Sequence, residues 1–228
     1  MKKISDDELQ ELLAIHKSGK QVIDLSYTDL SERDLSGAYL EQANLENASF
    51  AMADLRDADL RITNLSGADF TYANLTTANL AGANLTGACL RETLLSRAQL
   101  QEATLVDADL TEADLKWMDF READLSGSII NGANFFLSAF DAWIIEGIRC
   151  THVYWDQENA IRNPPDRDFL EGEFEQLYKS LPTIDYYFED GFTPIDALLI
   201  EKTVSEIYRS NPEFESWKVI RLGGHSRE

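Results

Sequence analysis

No proline precedes Pro164 in this chain of 228 residues; all five prolines (Pro164, Pro165, Pro182, Pro194 and Pro212) fall in the last third. So long a stretch without proline suits a backbone whose N–H groups are all wanted for bonds between chain segments. Cysteine is scarce too. Cys89 and Cys150 allow at most one disulfide, which excludes a small cysteine-stapled scaffold. The three histidines, His16, His152 and His225, show no metal-ligand spacing with one another or with the cysteines, so no metal and no cofactor is expected. Positive charge is short: 20 Lys+Arg stand against 41 Asp+Glu, a net charge of −21. That balance disfavours a nucleic-acid partner, which would meet a basic face, and docking on anionic lipid. No apolar run approaches the ~18 residues of a membrane span. The opening MKKISDDELQELL lacks the apolar core of a secretory signal, so a cytoplasmic location is expected. At 44 % hydrophobic, the chain can nevertheless build a core.

What it has is a period of five. From Leu25 to Ile145 every fifth residue is large and apolar, and the 25 positions hold Leu, five Phe and two Ile. Two residues earlier the chain carries Ala at 16 of these 25 units, as at Ala43, Ala48 and Ala53. One residue earlier it carries Asp or Asn at 16 of 25, as at Asp54, Asp59 and Asn74. The unit is A-(D/N)-L-x-x. In a flat strand residues five apart face opposite sides, and in a helix they spiral around the axis. The chain must therefore turn once per unit so that each central residue faces inward again. Gly37, Gly67, Gly82, Gly87, Gly127 and Gly132 all lie two residues after a central position, so glycine is expected to mark a corner of positive φ.

AYLEQANLENASFAMADLRDADL and ANLTTANLAGANLTGACL strongly resemble the pentapeptide repeat proteins, over roughly residues 21–145. The resemblance implies a mainly β fold, a right-handed quadrilateral β-helix with one pentapeptide per face and 20 residues per coil. On that template the chain makes about six coils, a rod ~30 Å long at ~4.8 Å per coil. Each inward Leu should contribute about 1.5–3 kcal/mol before chain entropy is counted.

Open solenoid ends need caps. Residues 1–20 are expected to form an N-terminal capping helix, with Ser5 and Glu8 as a capping box, Ile4 and Leu9 as a staple, Gly19 as the stop, and Leu9, Leu12, Leu13 and His16 turned to the first coil. Residues 21–146 form the repeat region and 147–228 a transition segment and a helical appendage. Within the latter, THVYWDQENAIRNPPD resembles the exit from the solenoid in many family members. A helix is expected around Leu170, Phe174, Leu177, Tyr178 and Leu181, a second from Thr193-Pro194 to Asn211-Pro212, and a short third holding Phe214 and Trp217. Superposed coils put Leu94, Trp117, Phe136 and Leu137 on one outer face, where a solvated rod would carry polar residues. They are the candidate surface, either for packing of the C-terminal helices or for a partner.

Chemistry is sparse. Phosphate-binding glycine loops and a nucleophile elbow are absent. The many carboxylates follow the repeat register, where a short acidic side chain can bond nearby backbone N–H groups. The expectation is therefore a non-enzymatic module that presents a rigid rod to an unidentified protein partner, as a monomer or weak dimer. The alternative is a DNA mimic, since some members of the family imitate duplex DNA and occupy type II topoisomerases such as gyrase. Against it, residues 70–90 carry no charge, and the acids scatter over four faces among Arg56, Arg61, Arg91, Arg97 and Arg121.

Overall fold

A computed structural model describes residues 1–179, 184–187 and 220–223. Parallel bridges join each residue that precedes a central one to its counterpart 20 residues on, from Asp24↔Asn44 to Ile129↔Arg149. Four pentapeptides therefore make one turn, and successive turns stack in register.

One unit shows how the sequence dictates this. Leu75 N–H donates to Leu94 O in the next coil at 2.7 Å, and Thr77 N–H to Ser96 O at 3.1 Å. Asn74 N–H reaches back to Ala53 O at 2.9 Å, and Ala78 N–H closes the turn on Leu75 O at 3.0 Å. The fifth amide, that of Thr76, has no backbone carbonyl and donates to Asn74 Oδ1 at 3.1 Å. All five N–H groups are engaged, so proline anywhere in the unit would delete a bond. The side-chain bond repeats at every Asp or Asn in this position, from Asp24 to Asn134. The acids of the register serve the turn.

Inside, the central residues are buried, and Phe50 and Phe70 stack at 4.9 Å in adjacent coils. Where Ala is replaced by threonine at two coils, the hydroxyl finds a carbonyl: Thr63 Oγ1 donates to Leu60 O at 2.6 Å and Thr93 Oγ1 to Phe70 O at 2.8 Å.

The expectation for glycine needs correction. The corner residue has positive φ throughout, but most corners are not glycine: Met52 (60°), Ile62 (57°), Tyr72 (61°), Thr77 (62°) and Trp117 (61°) all adopt it. A side chain there costs roughly 1–2 kcal/mol. The penalty is tolerated because only this conformation aims the corner N–H at the next coil, as Tyr72 N–H at Arg91 O (3.1 Å). At Gly132 an added Cβ would meet the carboxylate of Glu112 reaching up from the coil below, and that flexible side chain would have to move aside.

Strand β1 (Lys2–Lys3) pairs in parallel with β2 (Thr28–Asp29) and covers the first coil's edge. Helix α1 (Asp6–Lys17) lies over the first coil's core. Its N-cap Ser5 accepts Glu8 N–H at 3.2 Å, Ile4 and Leu9 are buried in the core, and Gly19 N–H returns to His16 O at 2.8 Å. His16 is buried too, its Nδ1 taking Ile23 N–H at 3.2 Å. Arg33 bonds Ile4 O at 2.7 Å and pairs with Asp6, tying the cap to the rod.

At the other end the coil register runs past Glu146. Ala133–Asn134 (β3) pairs in parallel with Val153–Tyr154 (β4), still 20 residues on, because Ile148, Cys150, Val153 and Trp155 keep the inward phase that Leu and Ala hold earlier. Arg162–Asn163 (β5) then turns antiparallel onto β4 and ends the stack. The turn is pinned by Asn134, whose Nδ2 donates to Asp156 O at 2.7 Å, and by the Asp156 carboxylate, which accepts the N–H groups of Glu158, Ala160 and Ile161. Helix α2 (Glu173–Lys179) brings Phe174 and Tyr178 onto an aromatic plug: Trp155 lies 5.6 Å from Phe135 and 5.2 Å from Tyr178, and Trp143 lies 4.4 Å from Phe140 and 6.3 Å from Phe174. Strands β6 (Ile184–Tyr187) and β7 (Ile220–Gly223) pair in parallel. Leu181, the helix expected over 193–211, and the segment with Phe214 and Trp217 lie outside the described residues.

Candidate functional site

Because all backbone amides of a typical coil are engaged, its outer surface consists of side chains at three positions per pentapeptide, each repeated along the rod at ~4.8 Å. One flank carries an amide ladder. Asn64 Nδ2 donates to Asn44 Oδ1 and Asn44 Nδ2 to Asp24 Oδ1, both at 3.1 Å, while the same two oxygens take Glu46 and Ser26 N–H.

Much of the arginine charge on the rod is settled locally. Arg56 grips Asp54 with both edges of its guanidinium (2.8 and 2.5 Å), Arg61 grips Asp59 (2.8 and 2.7 Å) and Arg121 grips Asp119 (2.9 and 2.6 Å). The spacing Asp-x-Arg puts both side chains on one outer face. The Arg56 and Arg61 bonds hold the Asp54 and Asp59 carboxyls below the usual carboxylate range. At Asp119 burial pushes the other way and the Arg121 bond prevails. Across coils Arg91 reaches Asp109 at 3.1 Å and Arg61 reaches Glu41 at 3.1 Å.

The four residues of the candidate surface do lie on one flank, since the bridge column Asn74–Leu94–Asp114–Asn134 carries Leu94 below the strand that leads to Phe136 and Leu137. Their environments differ. Phe136 is 9 % and Leu137 8 % exposed, and Trp117, half-buried, meets Phe136 edge-on at 5.6 Å with the Arg97 guanidinium 6.0 Å from its ring. Leu94 stays 45 % exposed. The expected cover for this flank is the C-terminal helices; of these α2 packs on the aromatic plug, and the helices after residue 181 lie outside the described residues. Exposed apolar residues also occur at corners, Met52 (60 %) and Tyr72 (54 %) among them. Sequence reasoning passed over these because corner positions had been assigned to turn geometry. The clue was available: both break the polar or glycine habit of their position.

Among the described residues no group of three His, Cys, Asp or Glu side chains is placed to hold a metal ion. Cys150 is half-buried, and desolvation pushes its thiol far up. Burial and then Arg162 push the His152 imidazole down.

A stack of side-chain ladders around a leucine and phenylalanine core, turning every five residues, defines a pentapeptide solenoid. The family model for pentapeptide repeats matches residues 23–61, 63–97 and 98–135, and the chain belongs to the pentapeptide repeat family. Membership implies the right-handed quadrilateral β-helix. The chain is similar to a pentapeptide repeat protein of the Arabidopsis thaliana thylakoid lumen, with 30 % identity over 39 % of this chain and 65 % of that one (TM-score 0.34). The part matched is thus less than two thirds of that protein. It is also 30 % identical to a pentapeptide repeat protein from Nostoc PCC 7120, over 49 % of this chain and 79 % of that one (TM-score 0.24). HetL, a pentapeptide repeat protein involved in heterocyst differentiation regulation from the cyanobacterium Nostoc sp. strain PCC 7120, is 28 % identical over 61 % of this chain and 72 % of its own (TM-score 0.25). No curated protein sequence matches the chain.

Proposed function

We propose that this protein is a non-enzymatic interaction module: a rigid solenoid that offers its flanks, and its region after residue 146, to a protein partner. It acts without cofactor, nucleic acid or membrane, in the cytoplasm, as a monomer or weak dimer. The division into a capping helix (1–20), a repeat rod (21–146) and an appendage (147–228) belongs to this proposal. The observation that carries the reading is the closure of both rod ends, by β1 with α1 and by β5 with the aromatic plug. Closed ends leave the flanks as the surface for recognition.

The local pairing of Arg56, Arg61 and Arg121 supports this reading over DNA mimicry, because a duplex mimic needs a run of free anions at phosphate-like spacing. A gyrase supercoiling assay tests the choice: the full chain is expected to leave supercoiling unchanged, and stoichiometric inhibition that survives moderate salt would replace the module reading with mimicry.

A further inference from the structure

One flank carries a combination that the fold does not ask for. The corner column Glu32, Met52, Tyr72, Glu92 and Glu112 runs straight along the rod, each corner N–H bonding the next coil, as Met52 to Thr71 O (2.9 Å) and Glu92 to Thr111 O (2.9 Å). All five side chains are exposed. Leu94 stands two residues after Glu92, on the adjoining face.

Each member departs from a physical preference of its position. Met52 and Tyr72 hold large apolar side chains outward at positive φ, where glycine or asparagine costs less. Leu94 occupies the position that carries Asp or Asn in 16 of 25 units, so it offers Ser96 N–H no acceptor and puts an aliphatic chain in water. Glu92 and Glu112 are stacked one coil apart with like charge, an unfavourable arrangement. Among the described residues Glu32, Glu92 and Glu112 form no ion pair, and the nearby cations are committed, Arg91 to Asp109 and Arg56 to Asp54. Glu92 is met only by a neutral donor, the Tyr72 hydroxyl at 2.8 Å. Local rules broken together without structural return mark a surface kept for another purpose.

We propose that this ridge binds a basic amphipathic helix of a protein partner, with Met52, Tyr72 and Leu94 as apolar anchors and Glu92 and Glu112 pairing Lys or Arg. The proposal rests on the interaction-module reading and names the chemistry of its partner. Charge complementarity selects a cationic segment, since the ridge is anionic and unpaired. Pitch selects a helix. Column residues repeat at ~4.8 Å, so Met52 to Glu112 spans ~14 Å. Helix residues at i, i+3, i+7 and i+10 rise ~4.5, ~10.5 and ~15 Å and keep step with it, whereas same-side residues of a strand advance ~6.8 Å and fall out of register.

The test uses the full chain and a fluorescent Lys/Leu peptide of about 15 residues, ~22 Å long as a helix, with the leucines on one face. A Glu/Leu peptide of the same pattern is the control. Anisotropy is expected to show saturable 1:1 binding of the Lys/Leu peptide alone. Affinity should fall about tenfold or more in Met52→Ser/Tyr72→Ser and in Glu92→Lys/Glu112→Lys. The pair Glu102→Lys/Glu122→Lys, the same charge change at another corner, should cost less than about threefold. Leu94→Asn carries an added signature: it supplies the missing acceptor, so it should raise the melting temperature while weakening the peptide. Equal losses in the ridge and control pairs would reduce the effect to net charge and overturn the proposal, as would absence of binding. Capture of the same proteins from native lysate by wild type and ridge variants would overturn the ridge and leave the module reading standing. A wild type that captures nothing would count against the module reading, with the peptide still deciding the ridge.

Discussion

The residue before each central leucine looks chemically interesting and is structurally occupied. An Asp or Asn there completes the hydrogen bonding of a turn in which the amide just after the central residue has no backbone partner. Removing one acceptor should be felt locally. Asn64→Ala strands Ser66 N–H and cuts the amide ladder above Asn44, for an expected loss of about 1 kcal/mol in a denaturation experiment. The corner makes the opposite prediction. Ile62 is a β-branched residue at φ 57°, 60 % exposed, and Asn occupies that region readily. Ile62→Asn should therefore stabilise the rod by about 0.5–1 kcal/mol, read as a higher denaturation midpoint with an unchanged slope. The sequence disclosed the role of the Asp/Asn position but misled on the corner. Glycine at some corners suggested a glycine requirement, whereas inter-coil bonding holds even Ile and Thr in that conformation.

At the scale of elements, the two caps decide where the solenoid stops. The first was legible residue by residue, since Ser5, Glu8 and Gly19 are local helix signals. The second was not. Cys150, Val153 and Trp155 continue the inward phase without resembling Leu or Ala, so the repeat fades from view before the coil ends. Their role depends on Phe135, Phe140 and Tyr178, which are distant in sequence. Asn134→Ala should loosen this end, because it frees the turn at Asp156 that brings β5 back. Hydrogen exchange is expected to accelerate over 150–179 and to stay unchanged over coils near Leu65. The same end should respond to acid. Arg167 and then Leu170 N–H hold the Glu173 carboxyl down at about 2. A carboxyl depressed in the folded chain stabilises it above the unfolded value of about 4.5 and loses that contribution as pH falls towards about 2. The protection lost in Glu173→Gln over residues 165–179 should thus be evident at pH 6, shrink below about pH 4.5 and vanish near pH 2.

For the whole molecule the net charge is −21, and within the repeat coils the acids divide into those that serve turns, those paired with arginine two residues on, and a smaller unpaired set at corners. Only the last is free to choose a partner. Truncation separates cap from appendage: a chain ending at residue 146 uncovers Phe135 and Phe140 and should aggregate or melt broadly, while one ending at 180 retains the plug and should melt cooperatively. Calorimetry with light scattering checks both.

By itself the sequence determined the period, the inward residues, the turn chemistry and the family, because each of these is a relation among residues within one pentapeptide and repetition multiplies its signal. Stacking of coils decided the rest. Which corners form a ridge, which arginine reaches which carboxylate across a coil, and how an aromatic plug replaces leucine at the end all depend on residues 18 or more apart brought within ångströms, and no local pattern encodes that.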